Sequence, residues 1–407
     1  PAERIERLME QAEGAAEMGN FEVLVQCRSE IVATCNLVSG PQSTPMVKAL
    51  LNLADAYLQR GYLDQALERV RRAYTLNNEL GLKENRLLMP SILLVMGIAQ
   101  TMLKKYKEAE KTFRHALLAN ENVNGTDHFS SCPIYMSFSN MRSKQKRFKQ
   151  AYELMRKAWE LKEAKVGVLH PETAEIYVEL AKLQEKMGNE TVCVELLLRA
   201  HKAFVESQHD SCKKNFDVCI LLVSKYSGQD QHSEAEPFLK KAIDVSIELY
   251  GASSSHVLNL RREYIVLMLY LNRIDEASTL CQEALSMETI RNPDSLRLAE
   301  TLQLMSTIHV VKKQWEEALG NLRNCHRIFV ARLGDGAGRV SKVEADIRKV
   351  SKKMEAAESA VWQERQVQIR TGTPATGSPP EASAHATGQR EKQRPSALKL
   401  KGIEGGQ

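Results

Sequence analysis

The chain has 407 residues, of which 43% are hydrophobic and 26% are charged, values typical of globular proteins. No run of about 18 apolar residues is present, so the sequence predicts no membrane insertion. The net charge of +5 is spread along the whole chain and forms no basic stripe, which argues against nucleic acid as a partner.

Residues 1–46 come before the regular part of the chain and are predicted to form a degenerate helix pair. Gly19, Asn20 and Phe21 mark the turn between its two helices, because Gly and Asn tolerate the backbone conformation that ends a helix. The first residues contain no apolar stretch behind a basic one. We therefore expect a cytoplasmic protein without an export signal.

Residues 47–338 contain a pattern of apolar residues that recurs with a period of about 42. Each of seven units has a small anchor residue, a larger apolar residue four positions later and another small residue seven positions after the anchor. This spacing places all three on one face of a helix. The anchors are Ala66, Ala109, Ala151, Cys193, Ala235, Ala277 and Ala318. The larger residues are Val70, Phe113, Met155, Leu197, Leu239, Cys281 and Leu322, and the second small residues are Ala73, Ala116, Ala158, Ala200, Ala242, Ala284 and Cys325.

Each unit is predicted to contain two antiparallel helices joined by a short turn. The turns are expected at Arg60-Gly61, Lys104-Lys105, Gln145-Lys146, Gly188-Asn189, Gly228-Gln229, Leu271-Asn272 and Lys312-Lys313. Longer linkers between units contain His128, His170 and His256, and we expect these histidines to be turn and cap residues. Pro171 follows His170 and suits the first turn of a helix.

A charged helix is predicted over residues 339–369, where apolar residues are sparse. A stack of repeats needs a polar terminal cap, and this helix is expected to be that cap. Residues 370–407 are rich in Gly, Pro, Ser, Thr and basic residues and almost free of aromatic ones. That composition predicts a disordered basic tail.

The recurring stripe resembles the tetratricopeptide repeat, and its 42-residue period with Gly and His-Pro in the linkers, as in Gly167 to Pro171, is similar to kinesin light chains. The resemblance implies an all-α superhelix, a tetratricopeptide solenoid of about seven to eight helix pairs with a C-terminal capping helix. The order of helix pairs, the imperfect entry unit and the trailing helix also resemble the ciliary tetratricopeptide repeat protein 23 family.

The resemblance further implies that the first helix of each pair lines a concave groove that takes a peptide. The implied groove positions are Leu51, Asp55, Gln59, Leu94, Ile98, Met102, Met136, Asn140, Lys144, Val178, Lys182, Lys186, Leu221, Ser224, Arg262, Val266, Tyr270, Gln303 and Thr307. This lining is apolar with a central patch of Lys and Asn. The residues expected to contact a peptide are Asn140, Lys144, Lys182, Lys186, Arg262 and Tyr270. Cationic side chains favour a short acidic segment as the ligand.

No catalytic or metal motif is evident in the sequence. The eight cysteines form no C-x-x-C pair and are expected to be reduced and mostly buried. Histidines one repeat apart are too distant to share a metal ion, so we expect neither a metal nor a cofactor. The unbroken repeat also leaves no room for an inserted catalytic domain, which disfavours an enzyme.

These features predict a non-catalytic scaffold for protein–protein interaction that binds peptide segments of partner proteins, in a cytoskeletal or ciliary assembly. The alternative is a cargo adaptor similar to kinesin light chains. Against that alternative, the sequence has no long N-terminal heptad coil through which a motor could be joined.

Overall fold

The computed structural model describes residues 2–81, 83–209 and 211–371. These residues form helices and contain no β-strand. In chain order the helices are α1 (Ala2–Glu17), α2 (Phe21–Ser39), α3 (Thr44–Arg60), α4 (Leu63–Leu80), α5 (Lys83–Arg86), α6 (Met89–Met102), α7 (Tyr106–Asn124), the 3-10 helix η1 (Phe129–Ser131), α8 (Cys132–Lys144), α9 (Phe148–Val166), α10 (Pro171–Lys186), α11 (Glu190–Glu206), α12 (Lys213–Gly228), α13 (His232–Tyr250), α14 (Ser255–Tyr270), α15 (Ile274–Arg291), α16 (Leu296–Val311), α17 (Trp315–Leu333) and α18 (Gly338–Thr371).

The helices pack as a linear array of pairs. The first helices of the pairs are α1, α3, α6, α8, α10, α12, α14 and α16, and the second helices are α2, α4, α7, α9, α11, α13, α15 and α17. Each second helix packs against the first helix of its own pair and against the first helix of the following pair. The architecture is an all-α superhelix, as predicted.

The core is the recurring stripe. All 21 stripe residues predicted from the sequence are buried, and none is more than 4% exposed. The largest, Phe113, lies against Gly97 of α6, where a Cβ atom would come within 2.6 Å of its ring. Where the stripe residue is the small Cys281, the first helix supplies the buried Ile265 at the position that corresponds to Gly97. The space between the two helices of a pair is therefore filled mainly by the second helix in one unit and mainly by the first helix in another.

The turns within the seven units repeat as regularly as the stripe. One residue in each turn has a positive φ, namely Gly61, Lys104, Lys146, Gly188, Asp230, Asn272 and Lys313. In six turns this residue is one of the two turn residues predicted from the sequence. In the fifth unit the prediction is one residue early, because α12 continues through Gly228 and the left-handed residue is Asp230.

The array is followed by α18, which packs against α17 through Val340, Val343 and Val350. Most of the other described side chains of α18 are exposed. The description of α18 runs to Thr371, and residues 372–407 of the predicted tail lie outside the described residues.

Candidate functional site

The predicted groove positions lie in the same places on successive first helices. All but Leu221 fall 15, 11 or 7 residues before the anchor of their unit, and none of the 19 predicted side chains is buried. The position nearest the turn is exposed in every unit, at Gln59, Met102, Lys144, Lys186, Gly228, Tyr270 and Val311. We call the surface formed by these three positions the groove face.

The first part of the groove face, on α3, α6 and α8, is apolar. Leu51, Leu94, Ile98 and Met136 are half-buried, and Met102 is 37% exposed. Between these three helices the described residues show no ion pair. We call this surface the apolar half of the groove. It ends at Asn140 and Lys144, which are exposed and make no hydrogen bond or ion pair with another described side chain.

The next helix, α10, presents acids beside its lysines. Lys182 pairs with Glu179 at 2.7 Å, and both side chains are largely exposed. Lys186 reaches back to the Ser143 hydroxyl of α8 at 3.3 Å and lies 6.0 Å from the centre of the Phe148 ring. The predicted central patch is therefore mixed in charge, because glutamates that the sequence argument left out lie on the same helix.

Ion pairs join the first helices α10 and α12, and further ion pairs join α14, α16 and α18. We call the surface from α10 to α18 the ion-paired half of the groove. Glu175 of α10 pairs with Lys214 of α12 at 2.5 Å, and Glu185 pairs with Lys225 at 2.5 Å. Burial alone would lower the pKa of Lys225, but its hydrogen bonds with Glu185 and Glu190 hold that pKa above the ordinary value. These contacts connect successive units directly.

Glu300 of α16 links three helices, α14, α16 and α18. It accepts from Arg262 of α14 and from Arg339 of α18, the latter at 2.9 Å. Arg262 also donates to Asn259 at 2.6 Å. The Arg262 side chain is only 14% exposed, so its charge is engaged within the protein. Tyr270, also predicted to contact a peptide, is 47% exposed and stacks on His232 with ring centres 4.5 Å apart.

One groove residue was missed in the sequence. In the other six units the first groove position lies 15 residues before the anchor, which gives Ile220 in the fifth unit, where the prediction named Leu221. Both side chains are half-buried, but they pack against different clusters: Leu221 against the cluster of the preceding unit and Ile220 against that of the following unit. Strict application of the period would have found Ile220.

The linker histidines have the expected capping role at two of three sites. Backbone N–H groups donate to Nδ1 of His128 and His170. The corresponding position in later units is Cys212, Ser254 and Ser295, and each of these side chains also accepts a backbone N–H. The prediction is wrong for His256, which lies two residues beyond the cap and packs near Tyr250. Within the described ranges no three His, Cys, Asp or Glu side chains are grouped as metal ligands.

The cysteines are free and, except for the half-buried Cys212, buried. Burial, with a smaller contribution from Glu288, raises the pKa of Cys281 to about 12, so this thiol is inert at neutral pH. One cluster has the residue types of a catalytic triad: Cys219, His201 and Asn215. Asn215 and Cys219 both approach the same ring nitrogen of His201, at 2.8 and 3.7 Å. Cys219 is fully buried, so no substrate can reach its sulfur without rearrangement.

One unit of the array, the one that begins at α3, matches a known repeat family. A family model described as tetratricopeptide repeat matches residues 47–80. The same buried stripe recurs in the six units that follow. The chain has the fold of a tetratricopeptide solenoid.

Several solved structures resemble the chain at low sequence identity. BtubC (BKLC) from P. vanneervenii is 19% identical with a TM-score of 0.41, over 59% of this chain and 92% of that one. A putative kinesin light chain from Podosopora anserina is 15% identical with a TM-score of 0.42, over 51% and 98%. Yeast Tom70 is 14% identical with a TM-score of 0.42, over 86% and 63%. No curated protein matches the sequence. Likenesses of this degree indicate neither a ligand nor an activity.

Among the described helices, none has the length and apolar character needed to cross a bilayer. Helices such as α6 are apolar but short, with 14 residues, and pack within the array.

Proposed function

We propose that this protein is a non-catalytic scaffold that binds a segment of a partner protein along its groove face, with the apolar half of the groove as the main contact surface. Tetratricopeptide repeats act in protein–protein interaction, and the proposal specifies where and what this one binds. The observation that supports it most is the row of partly exposed apolar side chains on three consecutive first helices: Leu51, Leu94, Ile98, Met102 and Met136. An extended apolar surface of this kind is typical of an interaction site.

The chemistry at the end of the apolar half indicates how a ligand is oriented. Asn140 can donate to and accept from a peptide backbone, and the nearby Lys144 and Lys186 offer positive charge. We assign Arg262 to the internal connection with Glu300, since its charge is already matched. The expected ligand therefore has large apolar side chains that contact α3, α6 and α8, followed by an acidic group near Lys144 and Lys186. This is a narrower expectation than a generally acidic segment.

The proposal includes a cytoplasmic protein in a cytoskeletal or ciliary assembly, which is the setting implied by the sequence resemblance. Fluorescence microscopy of the tagged chain in ciliated cells tests this part. A uniform cytoplasmic signal without enrichment on microtubules or cilia would contradict the setting and leave the groove proposal to be judged by binding.

The binding test starts from peptides selected by display against the purified full chain. Met102→Glu and Val311→Glu form a matched pair, since both residues occupy the groove position nearest the turn, one in each half. We expect Met102→Glu to weaken peptide binding by about tenfold or more, equivalent to about 1.4 kcal/mol, because it places a charge in the apolar contact. Val311→Glu is expected to leave the Kd unchanged. Equal effects of the two substitutions, with helix content intact by circular dichroism, would contradict the assignment to the apolar half.

A second variant tests the orientation of the peptide. Lys144→Glu should slow association with an acidic peptide, and the difference from wild type should shrink at high salt because charge acts mainly on the encounter rate. Surface plasmon resonance at two salt concentrations measures this. Unchanged association at low salt would remove Lys144 from the site.

A further inference from the structure

We propose that this protein has a second binding surface, which takes a short acidic segment of a partner protein across two neighbouring turns of the array. None of its residues is a groove position, so the proposal is independent of the groove face. We call this surface the basic edge. It is formed by Lys104, Lys105 and Lys107 in the second unit and by Lys146, Arg147 and Lys149 in the third.

The two turns of the basic edge lie side by side. Each basic residue of the first turn has its counterpart 42 positions later in the second turn. Arg142, near the end of α8, donates to Gln145 in its own turn at 3.1 Å and to Glu110 near the start of α7 at 2.5 Å. Successive units are about 10 Å apart, a distance that an extended chain covers with about three residues.

The charges of the basic edge are exposed and unmatched. All six side chains are exposed, and none forms an ion pair with a described side chain. The acids beside them are matched by other residues. Glu108 pairs with Arg71 at 3.9 Å. Glu110 accepts from Arg114 and Arg142. Six positive charges on adjacent turns therefore face solvent with no opposite charge of the described chain beside them.

Two of these lysines have a backbone conformation that is unfavourable for lysine. Lys104 and Lys146 have φ of 60° and 61°. This left-handed region suits glycine, and to a lesser degree asparagine and aspartate. At the same turn position, four of the other five units have Gly61, Gly188, Asp230 and Asn272, and the last has Lys313. Lysine is therefore held at both turns of the basic edge at a cost in stability.

Two further lysines lie where the helix dipole disfavours a positive charge. Lys107 and Lys149 are the second residues of α7 and α9, in the first turn of each helix. The same position in the other five units holds Asp64, Thr191, Ser233, Asp275 and Glu316, none of which is basic. Four of the six basic residues thus oppose local stability, and a role in binding explains why they are present.

The extent of the basic edge favours an acidic polypeptide over a membrane or a nucleic acid. On both sides the next turn carries an exposed acid, Asp64 in the first unit and Glu190 in the fourth. A membrane surface or a nucleic acid would bring its negative charge against these acids, whereas an acidic segment of a few residues would not. The aromatic residues that begin the following helices, Tyr106 and Phe148, are half-buried, which disfavours stacking with bases.

The experiment measures binding of a fluorescein-labelled acidic peptide to the full chain by fluorescence anisotropy at about 0.15 M salt. The peptide has two pairs of glutamates separated by about three residues, so that an extended chain reaches both turns. We expect saturable binding by the wild type, weakened by added salt because the contact is electrostatic. In the double variant Lys107→Glu and Lys149→Glu, binding should weaken by about tenfold or more. Its melting temperature should stay the same or rise, because an acid in the first turn suits the helix dipole.

A matched control makes the same change of charge away from the basic edge. Arg348→Glu and Lys352→Glu alter two exposed residues of α18 that form no ion pair with a described side chain. The Kd of this control should stay within about twofold of the wild-type value. Equal weakening in the control and in the double variant would overturn the proposal, because it would show attraction to the overall charge alone. Each single substitution at the edge, Lys107→Glu or Lys149→Glu, should weaken binding, and an effect of only one would contradict a ligand that crosses both turns.

Two competitors test the class of partner. Phosphatidylserine vesicles and a single-stranded DNA oligonucleotide, each at the same concentration of negative charge as the peptide, should not displace it. Displacement by either one would assign the basic edge to a membrane or a nucleic acid and overturn the choice of a polypeptide. A wild type that does not bind the peptide would overturn the proposal as a whole. So would a double variant that binds the peptide as tightly as the wild type, since the six charges would then form only a solvated surface.

Discussion

Between α3 and α8 the first helices of successive units present apolar side chains to solvent, whereas ion pairs join α10 to α12 and α16 to both α14 and α18. The core beneath the two halves is the same stripe, buried to the same degree. The difference therefore lies only in residues that the repeat does not need for packing. One half has its polar groups satisfied internally, and the other has a surface that a ligand can cover.

The comparison of the two halves assumes that their cores are filled equally well, although different residues fill them. The largest effect expected is from Ile265→Ala, which leaves a cavity beside the small Cys281 and should cost about 2–5 kcal/mol. Adding Cys281→Leu should restore part of the loss, since Ala181 and Leu197 occupy these positions in α10 and α11. Chemical denaturation measures both. A double variant no more stable than Ile265→Ala would show that the two positions do not share volume.

A buried carboxylate is the clearest flaw in the core of the ion-paired half. Glu288 is 3% exposed, and neither of its oxygens has a hydrogen-bond partner among the described residues. The same position holds the buried Phe204 and Phe329 in two of the other six units, and polar residues in the remaining four. Glu288→Leu should therefore raise stability by about 1–3 kcal/mol, because it removes an unpaired buried polar group. The exposed Glu283→Leu is the control and should change the unfolding free energy by less than about 0.5 kcal/mol.

The apolar half also has an ion pair, but on the side of the second helix. Glu110 of α7 bonds Arg142 of α8 at 2.5 Å and Arg114 at 2.7 Å. Burial would raise the pKa of Glu110, but the hydrogen bond and charge of Arg142, with Arg114, hold it below its ordinary value. We expect Glu110→Gln to cost about 1 kcal/mol at pH 7.

The pH dependence of that loss has a definite sign. A carboxyl with a lowered folded-state pKa stabilises the protein above its unfolded pKa of about 4.3, and the contribution is lost as pH falls through the lower folded value. The difference in melting temperature between wild type and Glu110→Gln should therefore shrink as the pH falls below about 5, and it should vanish at the acid limit of folding. A gap that persists in acid would mean that Glu110 contributes by packing.

The smallest effect expected concerns two neighbouring turns, one from each half. Lys146 and Gly188 are one repeat apart and both have a left-handed backbone, with φ of 61° and 81°. A residue with a side chain is strained in this conformation, whereas glycine is not. Glycine also loses more conformational entropy when the chain folds, so Lys146→Gly should raise the free energy of unfolding by only about 0.5 kcal/mol. Gly188→Lys should lose a similar amount. Opposite signs in the two melts are the expected result, and a loss in both would show that Lys146 has a favourable contact of its own.

Most of the fold could be predicted because the core chemistry is repeated. A small residue, a large one and another small one at fixed spacing must share one helix face, and that requirement does not depend on any distant partner. Ala66, Phe113 and Ala158 were placed in the core on that ground, and all three are fully buried. The turns follow for the same reason. The turn at Asp230 was misplaced because a nearby glycine is the commoner left-handed residue.

The groove positions were predicted to lie on the surface, but the sequence did not show which of their charged side chains form ion pairs within the chain. Arg262 was expected to face a ligand, and the structure pairs it with Glu300, which lies 38 residues away in the sequence. Such a contact depends on how two successive units are placed side by side, and no local periodicity specifies it. His256 was misjudged for a related reason, since the cap is set by register and is Ser254. The sequence by itself determined which residues form the core, because burial repeats with the period of the helix pairs. Only the tertiary structure decided which charges remain available to a partner, because an ion pair forms or fails to form according to distances between units.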